Sequence, residues 1–228
     1  MTLPYAEVRH ASRVLRKGPG DEIVGVDGLG GWYRIVLDQL GKHTASGHII
    51  ERREEVGEPP YELTLAVAVL KSRTRFETLL EKAVELGASI VAPILTARTE
   101  RESIREERSE GILTAAMKQC GRSRLPDLRQ PVSLEEFLQI ESSSTAPGIS
   151  MICHERAGSG STFNDALRDW DGECRITTLV GPEGGFTDQE IMDAVHAGFS
   201  PVWMGERRLR TETAAISVLA AVMLAYDR

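Results

Sequence analysis

Two short runs near the C-terminal end carry residues suited to holding a small polar ligand against the main chain. The first is Gly181-Pro182-Glu183-Gly184-Gly185-Phe186, and the second is Met204-Gly205-Glu206-Arg207-Arg208-Leu209-Arg210-Thr211-Glu212-Thr213-Ala214. Glycines let the backbone approach a ligand closely. The first run leaves an apolar strand over 175–180 and opens a helix at which Thr187 and Glu190 form a capping box. No Lys-Ser or Lys-Thr follows it, so it is not a Walker loop, and its glycines do not fit G-x-G-x-x-G. A bare glycine pair is ordinary in a strand-to-helix turn. A proline, a carboxylate and a capping box in the same turn exceed what a turn requires. In the second run, Thr211 or Thr213 suits a helix cap, and Arg207 and Arg208 read as solvated surface. Arg210 stands against a strongly apolar helix.

Such loops need strands and helices to aim them. Residues 61–70 are almost continuously apolar, as in a strand buried on both faces. A helix over 75–86 follows, with Phe76, Leu79, Leu80, Ala83 and Leu86 on one stripe and Gly87 to end it. A second strand over 89–95 completes a βαβ unit, which implies a parallel sheet. Further strands are expected over 149–153, 175–180 and 201–204, and helices over 112–119, 163–170 and 187–198. Residues 99–111 form a charged exposed helix or loop, and 141–148 a Ser-rich connection. The last helix, 213–226, is apolar almost all round, so it must be covered on most sides by the protein itself or by a partner subunit. Ligands of open α/β sheets bind at the carboxyl ends of strands, where both runs fall. The first sixty residues are instead β-rich. Strands over 22–26 and 32–37 flank a glycine-rich turn, a hairpin signal, and no helix follows that would make the turn a phosphate loop. A short strand is expected over 48–50, then a charged linker over 52–60 ending in Pro59-Pro60.

With 228 residues the chain suits one large domain, or a small one joined to a medium one. Its 41% hydrophobic and 27% charged content is that of a globular protein. No apolar run approaches the roughly 18–20 residues of a membrane span, and the N-terminus lacks the apolar core of a signal peptide. Cys120, Cys153 and Cys174 are dispersed and odd in number, matching neither a disulfide framework nor zinc-ligand spacing. No metal, no membrane and a reducing cytoplasm are therefore expected. The net charge of −7 argues against nucleic acid only on average, because binding depends on local patches. Arg9, His10, Arg13, Arg16 and Lys17 cluster with Glu7 as the one nearby acid. Lys118, Arg122, Arg124 and Arg129 form a second basic stretch opposed only by Asp127.

The run 179–186, then Gly205 and 209–214, resembles the RsmE family of ribosomal RNA methyltransferases in the SPOUT superfamily. Supporting segments follow in the right order: Val14-Leu15-Arg16 with Gly20-Asp21 and Asp27-Gly28; Lys82-Ala83-Val84-Glu85-Leu86-Gly87; Gln119-Cys120-Gly121-Arg122 before Pro126; and His154-Glu155-Arg156. The resemblance implies an α/β fold with a SPOUT-type parallel sheet and deep trefoil knot over 61–228, a small PUA-like β-barrel domain over 1–57, and an obligate homodimer. It implies methyl transfer from S-adenosylmethionine to N3 of one decoding-region uridine of 16S rRNA in the small ribosomal subunit. Cofactor contacts are then expected from Leu179, Val180, Gly181, Pro182, Glu183, Gly184, Met204, Gly205, Leu209, Arg210, Thr211, Thr213 and Ala214. RNA contacts are expected from Arg9, His10, Arg13, Arg16, Lys82, Gln119 and Arg122. Either Glu183 or Glu212 would take the N3 proton, with Arg210 stabilising the uracil anion. Family members carry a further basic and aromatic strand before the segment matching 7–16; either the barrel here lacks it or it precedes Met1. Two rivals remain in view, a SPOUT-fold RNA-binding assembly factor without catalysis and a transfer RNA methyltransferase. The N-terminal β domain and the 119–122 segment argue against the second.

Overall fold

The computed structural model describes residues 8, 16–144, 147–155, 162–168, 170, 172 and 174–226. Arg9, His10 and Arg13, expected at the RNA, lie outside them. The chain divides into two units: Met1–Glu58 with Met117–Leu125, and Pro59–Ala116 with Pro126–Arg228.

In the first unit, β1 (Glu22–Val26), β2 (Gly31–Leu40) and β3 (Ala45–Glu54) form an antiparallel sheet in the order β1-β2-β3. Asp27 shapes the first turn. Its Oδ1 accepts from Leu29 N at 2.8 Å and Gly31 N at 2.9 Å, and its Oδ2 accepts the Tyr33 hydroxyl at 2.9 Å. Partial desolvation opposes ionisation there, but these donors outweigh it and hold the carboxyl below its ordinary range. β3 is longer than the short strand expected over 48–50, and it takes up Arg52, Arg53 and Glu54 of the expected linker. The reason is cross-strand pairing, which charge content alone hides. Arg34 meets Glu51 at 2.6 Å, and the Arg53 and Arg52 guanidinium groups lie 5.1 Å and 5.8 Å from the ring centres of Trp32 and Tyr33. The distant segment Met117–Leu125 is stitched on by backbone bonds from Gly30 N to Ser123 O, Ser123 N to Val56 O and Leu125 N to Gly28 O.

The second unit begins as the periodicity predicts, with β4 (Leu63–Ala68), α1 (Arg73–Glu85) and β5 (Ile90–Leu95). Then come α2 (Glu106–Cys120), β6 (Asp127–Leu128), β7 (Val132–Ser133), α3 (Leu134–Ser142), β8 (Gly148–Cys153) and α4 (Phe163–Ala166). β9 (Arg175–Val180), α5 (Asp188–His196), β10 (Ser200–Val202) and α6 (Thr211–Tyr226) complete it. The sheet order is β10-β8-β9-β4-β5-β6, with β7 also on β5, and every pairing is parallel. β4 is buried at all six positions, as its unbroken apolar run requires. One face of the sheet, through Ala66, Ala68, Ile94, Ile152 and Leu179, packs on Leu134, Phe137 and Leu138 of α3 and Ala194 of α5. α6 packs on β4, β9 and α1.

Several elements differ from the sequence reading. α2 starts within the charged stretch, because Ser109, Leu113, Ala116 and Met117 make a buried stripe while the charges face outward. α3 occupies residues read as partly connection. Its buried acid Glu141 breaks the apolar pattern, yet Glu141 accepts the Thr177 hydroxyl at 3.0 Å and lies 3.4 Å from Arg175. The helix at 163–166 is a single turn, shorter than the expected 163–170, and β10 keeps only three residues. α6 buries one stripe, Thr211, Ala215, Val218, Leu219 and Val222, and leaves Leu224 and Tyr226 exposed. The chain alone therefore covers this helix less completely than its composition led us to expect. Among the described residues, no helix is long and apolar enough to cross a membrane, and no group of three His, Cys, Asp or Glu could hold a metal ion.

Candidate active site

β10, β8 and β9 are adjacent and parallel, so the loops leaving their carboxyl ends converge. Together with Arg98, which follows β5, and the first turn of α6, they enclose a cavity of about 230 Å³. Val180, Gly181, Pro182, Glu183, Gly184, Met204, Gly205, Leu209, Thr211 and Ala214 line it, all of them expected cofactor contacts. Three residues of that set do not. Leu179 is fully buried in the sheet core, because strand alternation turns it to the face covered by α3 and α5. Arg210 and Thr213 are exposed and lie outside the lining.

The lining also includes Gly185 and Phe186 of the first run and, beyond the expected contacts, Arg98, Cys153, His154, Glu155, Asp188, Arg207 and Arg208. Arg207 and Arg208, expected as solvated surface, are exposed and form part of the wall. His154 and Glu155 leave the end of β8, and strand order, which local sequence does not reveal, brings that end between the other two. Nothing in the local sequence marked Arg98. Its Nη1 donates to Gly184 O at 2.6 Å and Phe186 O at 3.3 Å, pinning the first glycine run from a loop 86 residues away.

The capping box adds a second tie. Thr187 Oγ1 accepts from Glu190 N at 3.2 Å, and Glu190 Oε2 accepts from Thr187 N at 2.7 Å. The other oxygen of Glu190 accepts from Ala97 N at 2.8 Å, so one carboxylate both starts α5 and holds the Arg98 loop. Gly181 makes room for a close approach: a Cβ there would lie 3.0 Å from the Phe186 ring, which would have to give by a few tenths of an ångström. Burial pushes the Cys153 thiol up to about 12, which keeps it neutral in the cavity wall.

The two candidate carboxylates are placed differently. Glu183 is exposed at the cavity. Glu212 is turned away from it, with Oε1 3.5 Å from Arg75 Nε and a side chain only 13% exposed. The described RNA candidates also separate. Arg16 and Gln119 are exposed. Lys82 is engaged by Glu81 and Glu85, each at 2.8 Å. Arg122 is buried in the first unit, 2.7 Å from Glu58, whose second oxygen accepts from Ser123 N and Arg124 N. The second basic stretch is thus largely neutralised. Arg124 pairs with Glu55 and Arg129 with Asp127, and two of the three acids come from beyond the stretch itself.

The lining fits S-adenosylmethionine chemically. Glycine-rich main chain and the apolar side chains of Val180, Pro182, Phe186 and Leu209 suit a purine and its ribose. Arg98, Arg207 and Arg208 suit a carboxylate, and Glu155, Glu183 and Asp188 suit cationic sulfur and amine.

The RNA methyltransferase domain family matches residues 57–223, which take in the α/β unit and the loops at its strand ends. Ribosomal RNA small subunit methyltransferase E of Synechocystis is 34% identical over 224 residues, covering 97% of this chain and 72% of that protein. The Mycobacterium bovis protein of the same name is 30% identical, covering 96% and 84%. A crystal structure of ribosomal RNA small subunit methyltransferase E from Neisseria gonorrhoeae, bound to S-adenosyl methionine, is 30% identical; 98% of this chain and 91% of that one superimpose with a TM-score of 0.87. The chain belongs to the ribosomal RNA small subunit methyltransferase E family.

Proposed function

We propose that this protein is an S-adenosylmethionine-dependent methyltransferase that methylates N3 of a specific uridine in the decoding region of 16S rRNA. The observation that carries the reading is the glycine-built cavity at the carboxyl ends of β8, β9 and β10, in a chain whose relatives of this name cover it almost end to end. S-adenosylmethionine, when bound, supplies an activated methyl group on a cationic sulfur. The chain's own task is to orient two reactants and move one proton. The main chain of 181–184 and 204–209 holds the cofactor, and Arg98 fixes the shape of the first of these loops. Uracil N3 carries a proton at neutral pH and is a poor nucleophile until the proton leaves. Glu183 is the carboxylate assigned to accept it, since it lines the cavity, whereas Glu212 lies outside the lining with one oxygen 3.5 Å from Arg75. Arg210, exposed between the cavity-lining Leu209 and Thr211, is assigned to stabilise charge on O2 or O4 of the uracil.

The finer architecture belongs to the same reading. A deep trefoil knot in the second unit and a PUA-like barrel in the first are supported by the family resemblance. A homodimer is supported by the exposed Leu224 on α6 and Met192 and Val195 on α5. Action on ribosomal RNA implies the cytoplasm. The experiment is transfer of a labelled methyl group to small ribosomal subunits, naked 16S rRNA and transfer RNA. Incorporation at uridine N3 of the ribosomal substrates is expected, and incorporation only into transfer RNA would refute the assignment. Glu183→Gln and Arg210→Ala are each expected to slow transfer by about 10²-fold or more, and Arg210→Ala, which lies outside the cavity lining, is expected to leave the Kd for S-adenosylmethionine nearly unchanged by calorimetry.

A further inference from the structure

Beside the cavity, the loops that follow β4 and β5 gather a set of cations that methyl transfer as described does not use. Arg73 opens α1, and Arg101 and Arg105 lie between β5 and α2. Arg73 and Arg105 are exposed, and among the described residues neither makes an ion pair. Arg101 is half-buried, and its Nη1 is buried without a hydrogen-bond acceptor. A buried guanidinium N–H left unpaired costs free energy, so the site is arranged for an acceptor that the protein alone does not provide.

The neighbouring charges do not fill that need. Burial first, then the positive charges of Arg73 and Arg105, press Arg101 below its ordinary range, and Glu77 is the one acid that opposes them. Glu77 is itself engaged by Arg108 at 3.2 Å. Lys71 is paired with Glu100 at 2.6 Å, and Arg75 is 3.5 Å from Glu212. Glu77, Glu100 and Glu212 are each engaged by another cation, and Arg73, Arg101 and Arg105 make no ion pair among the described residues, in a chain whose net charge is −7. The first turn of α1 has no acid and begins with Arg73, so its N-terminal dipole adds to the positive field. Two observations set the loops that carry this cluster beside the cavity. Arg98 lines the cavity three residues before Arg101, and Lys71 feels the negative charge of Glu183.

We propose that Arg73, Arg101 and Arg105 form an anion site that grips the sugar-phosphate backbone of the RNA next to the target nucleotide. A phosphodiester offers the multiple oxygen acceptors that a guanidinium cluster needs, and an RNA substrate brings one to within a nucleotide of the reacting base. The inference rests on the proposed function, because only an RNA substrate places a phosphate there.

The test uses the full-length protein and two variants, Arg101→Gln and the surface double variant R73Q/R105Q. Methyl transfer to 16S rRNA, direct binding of a fluorescent decoding-region RNA, and calorimetry with S-adenosylmethionine are compared across a range of salt. Both variants are expected to raise the KM and Kd for RNA by about tenfold, as for loss of a charged hydrogen bond. The slope of log affinity against log salt is expected to become shallower by about 0.7 for each lost phosphate contact. The Kd for S-adenosylmethionine should stay the same. Unchanged RNA affinity and salt slope in the double variant would overturn the site. So would a loss in Arg101→Gln that follows S-adenosylmethionine affinity instead of RNA affinity, which would make Arg101 a support of the Arg98 loop. Arginine-dependent RNA binding without methyl transfer by the unmodified protein would retain the site and sink the proposed function.

Discussion

Cys153 and Glu212 show how far a residue's neighbours decide its chemistry. Cys153 sits in the cavity wall with its thiol pushed up to about 12 by burial, whereas Cys120 is exposed. At neutral pH a thiol-directed alkylating reagent is expected to label Cys120 and spare Cys153, a difference that peptide mass mapping would read. The same shift carries a sign for stability. The folded state keeps the Cys153 proton longer than the unfolded chain does, so its contribution is complete below the ordinary thiol value of 9.0 and declines as pH rises from there towards 12. Glu212 was legible as a titratable group beside a ligand loop, and so was Glu183. Nothing in the sequence separated them, because the separation depends on Arg75, which reaches Glu212 from another helix. Arg98 was invisible for the same reason: its partners are the carbonyl oxygens of a loop 86 residues away.

At the scale of elements, pattern was legible wherever one face was dry and the other wet. The βαβ start, the capping box at Thr187 and the buried strand β9 all follow from periodicity and cap chemistry. β3 and α3 were misread in part, since cross-strand ion pairs and the buried Glu141 put charge where a pattern reader expects loop. Helix α5 gives a direct test of how an element end serves the site. Thr187→Ala removes a cap and is expected to cost about 1 kcal/mol in chemical denaturation. Glu190→Ala removes the cap partner and the bond to Ala97 N together. It is expected to weaken S-adenosylmethionine binding more than Thr187→Ala does, which calorimetry on the two variants would decide.

For the whole molecule, the first unit depends on a pair whose members the sequence places in a charged linker and at the RNA. Arg122 and Glu58 have side chains only 4% and 7% exposed. Breaking a buried pair strands a charge, so Glu58→Ala is expected to destabilise the first unit by about 3–5 kcal/mol, read as an earlier unfolding transition. The two partners are 64 residues apart, and between them runs the chain of β4, α1, β5 and all of α2. Closing so long a loop carries an entropic cost that must be met before the pair can form. A chain leaving the ribosome therefore holds β1 to β3 without their last segment until residue 125 has emerged, by which time the first strands of the parallel sheet are already out. The N-terminal unit is for this reason no contiguous cassette. Residues 1–58 grafted onto another enzyme would lack Met117–Leu125, and evolution can move this unit between proteins only by carrying the start of the other with it.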